Sequence, residues 1–247
     1  YGALMKPTAD GNLTKELAES YTISDNGLTY SFTIRDDAYF HDGEKVKASD
    51  VAFTVKMALN NRLKSAKRAS WEGVSVETPS EKEVRFVLES PYAPFLENTT
   101  LGILPKHLWE KFEPEQFAFS SLMARPVGSG PFKINTLKSS ADGVPEEYIL
   151  DSFSKYVLGE PFLKKIRLRF YPNESELVKA YLNGKVDNIN SISPAVATEL
   201  KSAGKNVESS TLPRVFAVFL NQNRAGVFTH SEVRSALEIA LPREKIV

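Results

Sequence analysis

Apolar and polar residues alternate in three stretches of this chain. That period of two restricts it to folds built around half-buried strands. In GLTYSFTIRDDAYF, residues 27–40, Tyr30, Phe32 and Ile34 point one way and Ser31, Thr33 and Arg35 the other. In GVSVETPSEKEVRFVLES, residues 73–90, Val74 and Val76 precede a Pro-Ser-Glu-Lys turn, and Val84, Phe86 and Leu88 follow it. This is the pattern of a hairpin. In KKIRLRFY, residues 164–171, Ile166, Leu168 and Phe170 share a face. EYILDSF reads as a further strand, and RVFAVFLN, residues 214–221 and apolar on both faces, as a central one.

Helices fill the intervals. Ser49 is expected to cap a helix carrying Val51, Val55, Ala58 and Leu59 on one side, with Asp50 at its positive end. Asn173 caps a second helix that Gly184 ends, and Ser193 with Pro194 opens a third that stops before Gly204. SPYAPFLENTT and LPKHLWEKF read as short helices led by proline, and THSEVRSALEIAL as a last amphipathic one. LTKELAESYTI is expected to begin with a helical turn capped by Thr14. The sum is a mixed α/β protein.

The totals exclude several function classes. With 31 basic and 31 acidic residues the net charge is zero, and no long basic block offers a nucleic-acid footprint. The most basic run, NNRLKSAKR, lacks interleaved aromatics and reads as a solvated helix end. There is no cysteine, hence no disulfide or thiolate metal site. No apolar run reaches the length of a membrane span, and no signal peptide is visible. YGALMK at the start and PREKIV at the end read as interior sequence, so a stretch trimmed from a longer chain is expected.

Catalytic machinery is thin. His41 and Asp42 stand side by side, as a metallohydrolase centre would require, but only His107 and His230 remain as further histidines. A turn explains His-Asp-Gly more simply, with Asp bonding its own backbone and Gly supplying positive φ. VGSGPF lacks the Gly-Lys-Ser/Thr ending of a phosphate loop, and Pro131 removes a donor. No Gly-x-Ser-x-Gly elbow occurs. Neither an enzyme nor a cofactor is expected. Tyr1, Trp71 and Phe216 near element ends could line a ligand cleft, or simply fill a core.

Several segments, in order, resemble the extracytoplasmic solute-binding proteins of the peptide/nickel ABC-transporter family. LAESYTISDNGLTYSFTIRDDAYFHDGEKVKASDVAFTV looks like that family's strand, F-x-D-G turn and A-x-D-V helix. LPKHLWE is similar to its Pro-Lys-His helix. RPVGSGPFKI is similar to its P-V-G-T-G-P segment, with Ser129 for Thr. DSFSKYVLGEPFLKKIRLRFYPNESELVKAYLNGKVD resembles the stretch that ends in G-x-x-D, and FLNQNRAGVFTHSEVRSALEIALPREKIV the entry to a second lobe. In the last, His230 or Ser231 stands near the usual Asp, and Leu241-Pro242 replaces Ile-Asp, which alters local capping.

The resemblance implies a periplasmic-binding-protein-like lobe with an extra α+β subdomain, part of a truncated two-lobed, hinge-closing fold. Residues 1–9 and 126–223 would form the first lobe, residues 10–125 an inserted subdomain, and residues 224–247 the start of the second lobe. The implied activity is capture of short peptides between the lobes and delivery to an ABC permease, outside the cytoplasm. Membrane contact would come only through the permease or an upstream lipid anchor. Another solute, such as a nickel chelate, oligosaccharide or opine, is the alternative within the family, and a peptide-sensing module outside it. By position, Asn190, Ser191 and Ile192 would face ligand, with Trp71 and Phe216 as further contacts. His41-Asp42-Gly43 would be scaffold.

Overall fold

Cross-strand pairing of the alternating segments generates the main sheet. The computed structural model describes residues 1–209 and 217–242. They divide into two units, Tyr1–Ile189 and Asn190–Val247.

The first unit opens with β1 (Met5–Pro7) and β2 (Leu13–Lys15), an antiparallel pair. β3 (Ala18–Ile23) and β4 (Thr29–Ile34) follow, then α1 (Ala48–Leu59), α2 (Arg68–Trp71), β5 (Val74–Glu77) and β6 (Glu83–Leu88). The second sheet runs β3-β4-β6-β5 and is antiparallel throughout. Its inner face carries the predicted residues Tyr30, Phe32, Ile34, Val84, Phe86 and Leu88, all buried. They pack with Val51, Val55 and Ala58 of α1 in one cluster, and each large side chain contributes about 2–3 kcal/mol of burial. On the outer face Arg85 pairs with Glu77 and Glu83.

Three short helices, α3 (Phe95–Asn98), α4 (Lys106–Trp109) and α5 (Ser121–Ala124), lead to a third sheet. It comprises β7 (Phe132–Ser139), β8 (Pro145–Ser152) and β9 (Lys165–Arg169), in that order and antiparallel. α6 (Glu174–Leu182) closes the unit, capped by Asn173, whose Oδ1 accepts the Glu176 N–H at 2.9 Å. The second unit holds α7 (Pro194–Ser202), a 3-10 turn at Gly226–Thr229 and α8 (Ser231–Ala240). No described helix is long and apolar enough to cross a membrane.

Three local expectations change. Thr14 lies in a strand, not a helical turn. The Glu16 and Leu17 N–H groups donate to Leu4 and Ala3 carbonyls at 3.0 and 2.9 Å, so the segment pairs with the start of the chain instead of coiling on itself. Ser49 sits inside the first turn of α1. The cap is Lys47, in extended backbone, and Asp50 accepts its N–H at 2.8 Å. Of RVFAVFLN, residues 214–216 lie outside the described residues. Ala217–Asn221 form no strand, and Val218 and Phe219 are largely exposed.

The four-stranded sheet and α1 fall within residues 10–125, yet Leu4 and Met5 belong to the same core. The division into units comes at residues 189 and 190.

Candidate functional site

The segment expected to face ligand is a short connection with a strained backbone. Gly184, at φ +67°, turns the chain out of α6 in the left-handed conformation that glycine adopts without penalty. Ten residues later the chain enters α7, capped by Ser193 with Pro194 in the first position. Between them Ser191 has φ +58°, a region that costs a non-glycine residue on the order of 1 kcal/mol. Such strain persists where surrounding structure or function holds it. Asn190 and Ser191 are exposed, and their side chains make no hydrogen bond among the described residues; Ile192 is half-buried. The pair therefore presents an amide donor, an amide acceptor and a hydroxyl to solvent, a set suited to a peptide backbone.

Trp71 lies elsewhere, and the structure corrects its expected role. It ends α2 with its side chain 2% exposed, 5.4 Å from the Phe86 ring and 5.6 Å from Phe95. The indole fills the core and offers no free face to a ligand. Its neighbours Ser70, Glu72 and Gly73 line a surface hollow of about 290 Å³ shared with Glu89, Pro91 and Tyr92. Phe216 lies outside the described residues. Tyr1 is half-exposed at the start of the chain.

The His41-Asp42 pair is a structural clasp. The Gly128 N–H donates to His41 Nδ1 at 3.2 Å, and Nε2 lies 3.0 Å from the Gly130 carbonyl. Asp42 Oδ2 is 2.7 Å from His107 Nε2. Both imidazole nitrogens of His41 are thus engaged by backbone, which leaves neither for a metal. Among the described residues no group of three or more His, Asp or Glu side chains could hold a metal ion.

Two carboxylates that sequence reading gave little or no part prove to be structural centres. Asp50, buried, accepts N–H groups from both Lys47 and Lys106 at 2.8 Å; burial outweighs these donors and raises its pKa. Glu147, on β8, is ringed by Lys138 at 2.8 Å, Arg169 at 2.8 Å and Arg167 at 3.7 Å. Lys138 and then Arg169 hold its pKa down, from 4.5 to about 2. Alternation along β8 and β9 was the available signal: it puts Glu147 opposite Arg169 on one face. A depressed carboxylate contributes stability above its unfolded pKa that is lost as pH falls toward the folded value. The urea midpoint of the native protein should therefore drop between pH 5 and pH 3, and the drop should be shallower in Glu147→Gln. Equal slopes in both proteins would remove Glu147 from the acid response.

The family model described as bacterial extracellular solute-binding proteins, family 5 Middle, matches residues 12–247. This chain belongs to that family. It is 31% identical to the oligopeptide-binding protein AppA of Bacillus subtilis, across 100% of this chain and 45% of that protein. It is 30% identical to the nickel-binding periplasmic protein of Escherichia coli, across 76% of this chain and 35% of that one. The chain thus spans less than half the length of these relatives. The structure of Bacillus subtilis AppA in complex with a nonapeptide matches with a TM-score of 0.72 and 28% identity, over 83% of this chain and 40% of that one. NikZ of Campylobacter jejuni in complex with Ni(L-His) matches with a TM-score of 0.68 and 29% identity, over 75% and 36%. The family is one of solute-binding proteins, as the ordered motifs imply, and the mixed α/β fold is that of its solved members.

Proposed function

We propose that this chain is part of the substrate-binding component of an ABC importer that captures short peptides between two lobes and passes them to a membrane permease. The observation that carries this reading is the likeness to an oligopeptide-binding protein along the full length of the chain. A structural match of similar extent to the same protein holding a nonapeptide supports it. In this reading residues 1–9 and 126–223 belong to the first lobe, residues 10–125 to an inserted subdomain and residues 224–247 to the second lobe. The protein works outside the cytoplasm. Asn190 and Ser191 hydrogen-bond the peptide backbone and Ile192 packs beside it. Contacts to the backbone, with side chains in wet pockets, tolerate many sequences. Closure traps the ligand by shifting an open–closed equilibrium.

The test is native mass spectrometry of the protein purified gently from its host, followed by titration of the identified ligand into Asn190→Ala and Ser191→Ala. A ladder of co-purified short peptides, with affinity weakened about tenfold per lost hydrogen bond, is the expected result. A single metal chelate, sugar or opine would overturn the substrate class while leaving the family membership intact. Unchanged affinity in both variants would move the contact away from this segment.

A further inference from the structure

The clasp at His41 ties together parts of the first unit that lie far apart in sequence. His41 belongs to the loop between β4 and α1, against the core of the four-stranded sheet, where Phe40 is fully buried. Gly128 and Gly130 belong to the connection that feeds β7 of the three-stranded sheet. Three hydrogen bonds join them. The His41 N–H donates to the Gly128 carbonyl at 2.7 Å, and the other two run through the imidazole.

Chemistry dictates the tautomer. An amide N–H only donates, so Nδ1 facing Gly128 must carry a lone pair. A carbonyl only accepts, so Nε2 facing Gly130 must carry the proton. The ring is neutral, with its hydrogen on Nε2. A second proton would have to sit on Nδ1, pointing at the Gly128 N–H. That replaces a hydrogen bond with two opposed donors.

The surroundings disfavour the charged ring as well. Phe153 packs its edge against the imidazole, with centroids 5.0 Å apart. Burial pushes the His41 pKa below its ordinary 6.5. The amino group of Tyr1 and Lys133 on β7 add repulsion, against which the Gly130 carbonyl and Asp42 favour the cation without offsetting burial. Asp42 is already engaged with His107 of α4. Lys155, two residues beyond Phe153, lies over the Tyr39 ring at 4.5 Å.

We propose that His41 is an acid-released latch: neutral, it clamps the Gly128–Gly130 connection onto the four-stranded sheet, and on protonation it lets that connection go. Release is local. The Tyr156 hydroxyl still donates to Glu16 at 2.8 Å, and the Tyr148 hydroxyl to the Ala124 carbonyl at 2.9 Å, and neither bond involves His41. A lowered histidine pKa contributes stability that is complete above the unfolded value of 6.5 and is lost as pH falls through the folded value. The latch is therefore shut at pH 7 and opens below 6.5. It depends on no particular ligand.

Nitrogen-15 NMR of the imidazoles, with amide exchange at Gly128 followed from pH 7.5 to pH 5, tests this directly. His41 should show the Nε2–H tautomer and titrate below 6.5. After correction for intrinsic exchange, protection at Gly128 should fall with that titration, approaching about tenfold per pH unit, while Phe32 in the core stays protected. His41→Gln, which cannot gain a proton, should make Gly128 protection independent of pH, and His107→Gln should leave the transition in place. An Nδ1–H tautomer, a midpoint at or above 6.5, or protection that ignores the His41 titration would each overturn the latch. So would a transition that vanishes in His107→Gln. If His41→Gln fails to fold, the wild-type tautomer and the paired titrations still decide the matter.

Discussion

Trp71→Ala is expected to lower the unfolding free energy by about 4 kcal/mol, the cost of deleting a fully buried indole from a core that relaxes only in part. The ring is 2% exposed and edge-on to Phe95, within a cluster where Phe86 contacts Phe32, Trp71 and Phe95 in turn. Such a cluster cannot collapse into the gap without moving several rings at once. Urea unfolding of the two proteins measures the difference. A change under about 1 kcal/mol would mean that the indole is not a core residue. Trp71→Phe separates packing from recognition. It keeps most of the apolar volume, so stability should fall by no more than about 2 kcal/mol with ligand affinity unchanged. An intact Trp71→Phe protein with a tenfold loss of affinity would restore the ligand contact expected from sequence.

The second large effect belongs to Asp50. Asp50→Ala should cost about 3 kcal/mol, because it orphans two partly buried N–H groups, one at the start of α1 and one at the start of α4. For a chain of this size that corresponds to a fall in Tm of roughly 6–12 °C. The same helix is tied again one turn on, where the Thr54 hydroxyl donates to the Asp50 carbonyl at 2.7 Å and accepts the Leu104 N–H at 2.9 Å. The loss should therefore appear as loosening of α4 against α1, read as faster amide exchange at Lys106. Asp50→Asn keeps one acceptor and should cost about half as much. If Asp50→Asn and Asp50→Ala are equally destabilised, the charge rather than the two acceptors carries the effect. Asp50 and Glu147 also oppose each other in acid. Burial raises the first pKa and cations depress the second, so acid weakens the fold through Glu147 and not through Asp50.

Local patterns in the sequence determined most of the elements. Alternation placed Tyr30, Phe32 and Ile34 on one face of β4 and paired β5 with β6, because a strand's side-chain period is a property of its own backbone. Asn173 and Ser193 announced their helices because a cap reaches only three residues ahead. Family membership was legible in the order of modest motifs. Tertiary structure decided what depends on distant partners. Thr14 joined a strand because the start of the chain offered it a ladder, and Trp71 turned inward because Phe86 and Phe95 enclose it. The partners of Asp50, His107 and His41 lie 56, 65 and 89 residues away, and no window of sequence spans such gaps. His41-Asp42-Gly43 reads as a turn from its own residues. It becomes a latch only because folding carries the Gly128 N–H and the Gly130 carbonyl to opposite sides of one imidazole ring.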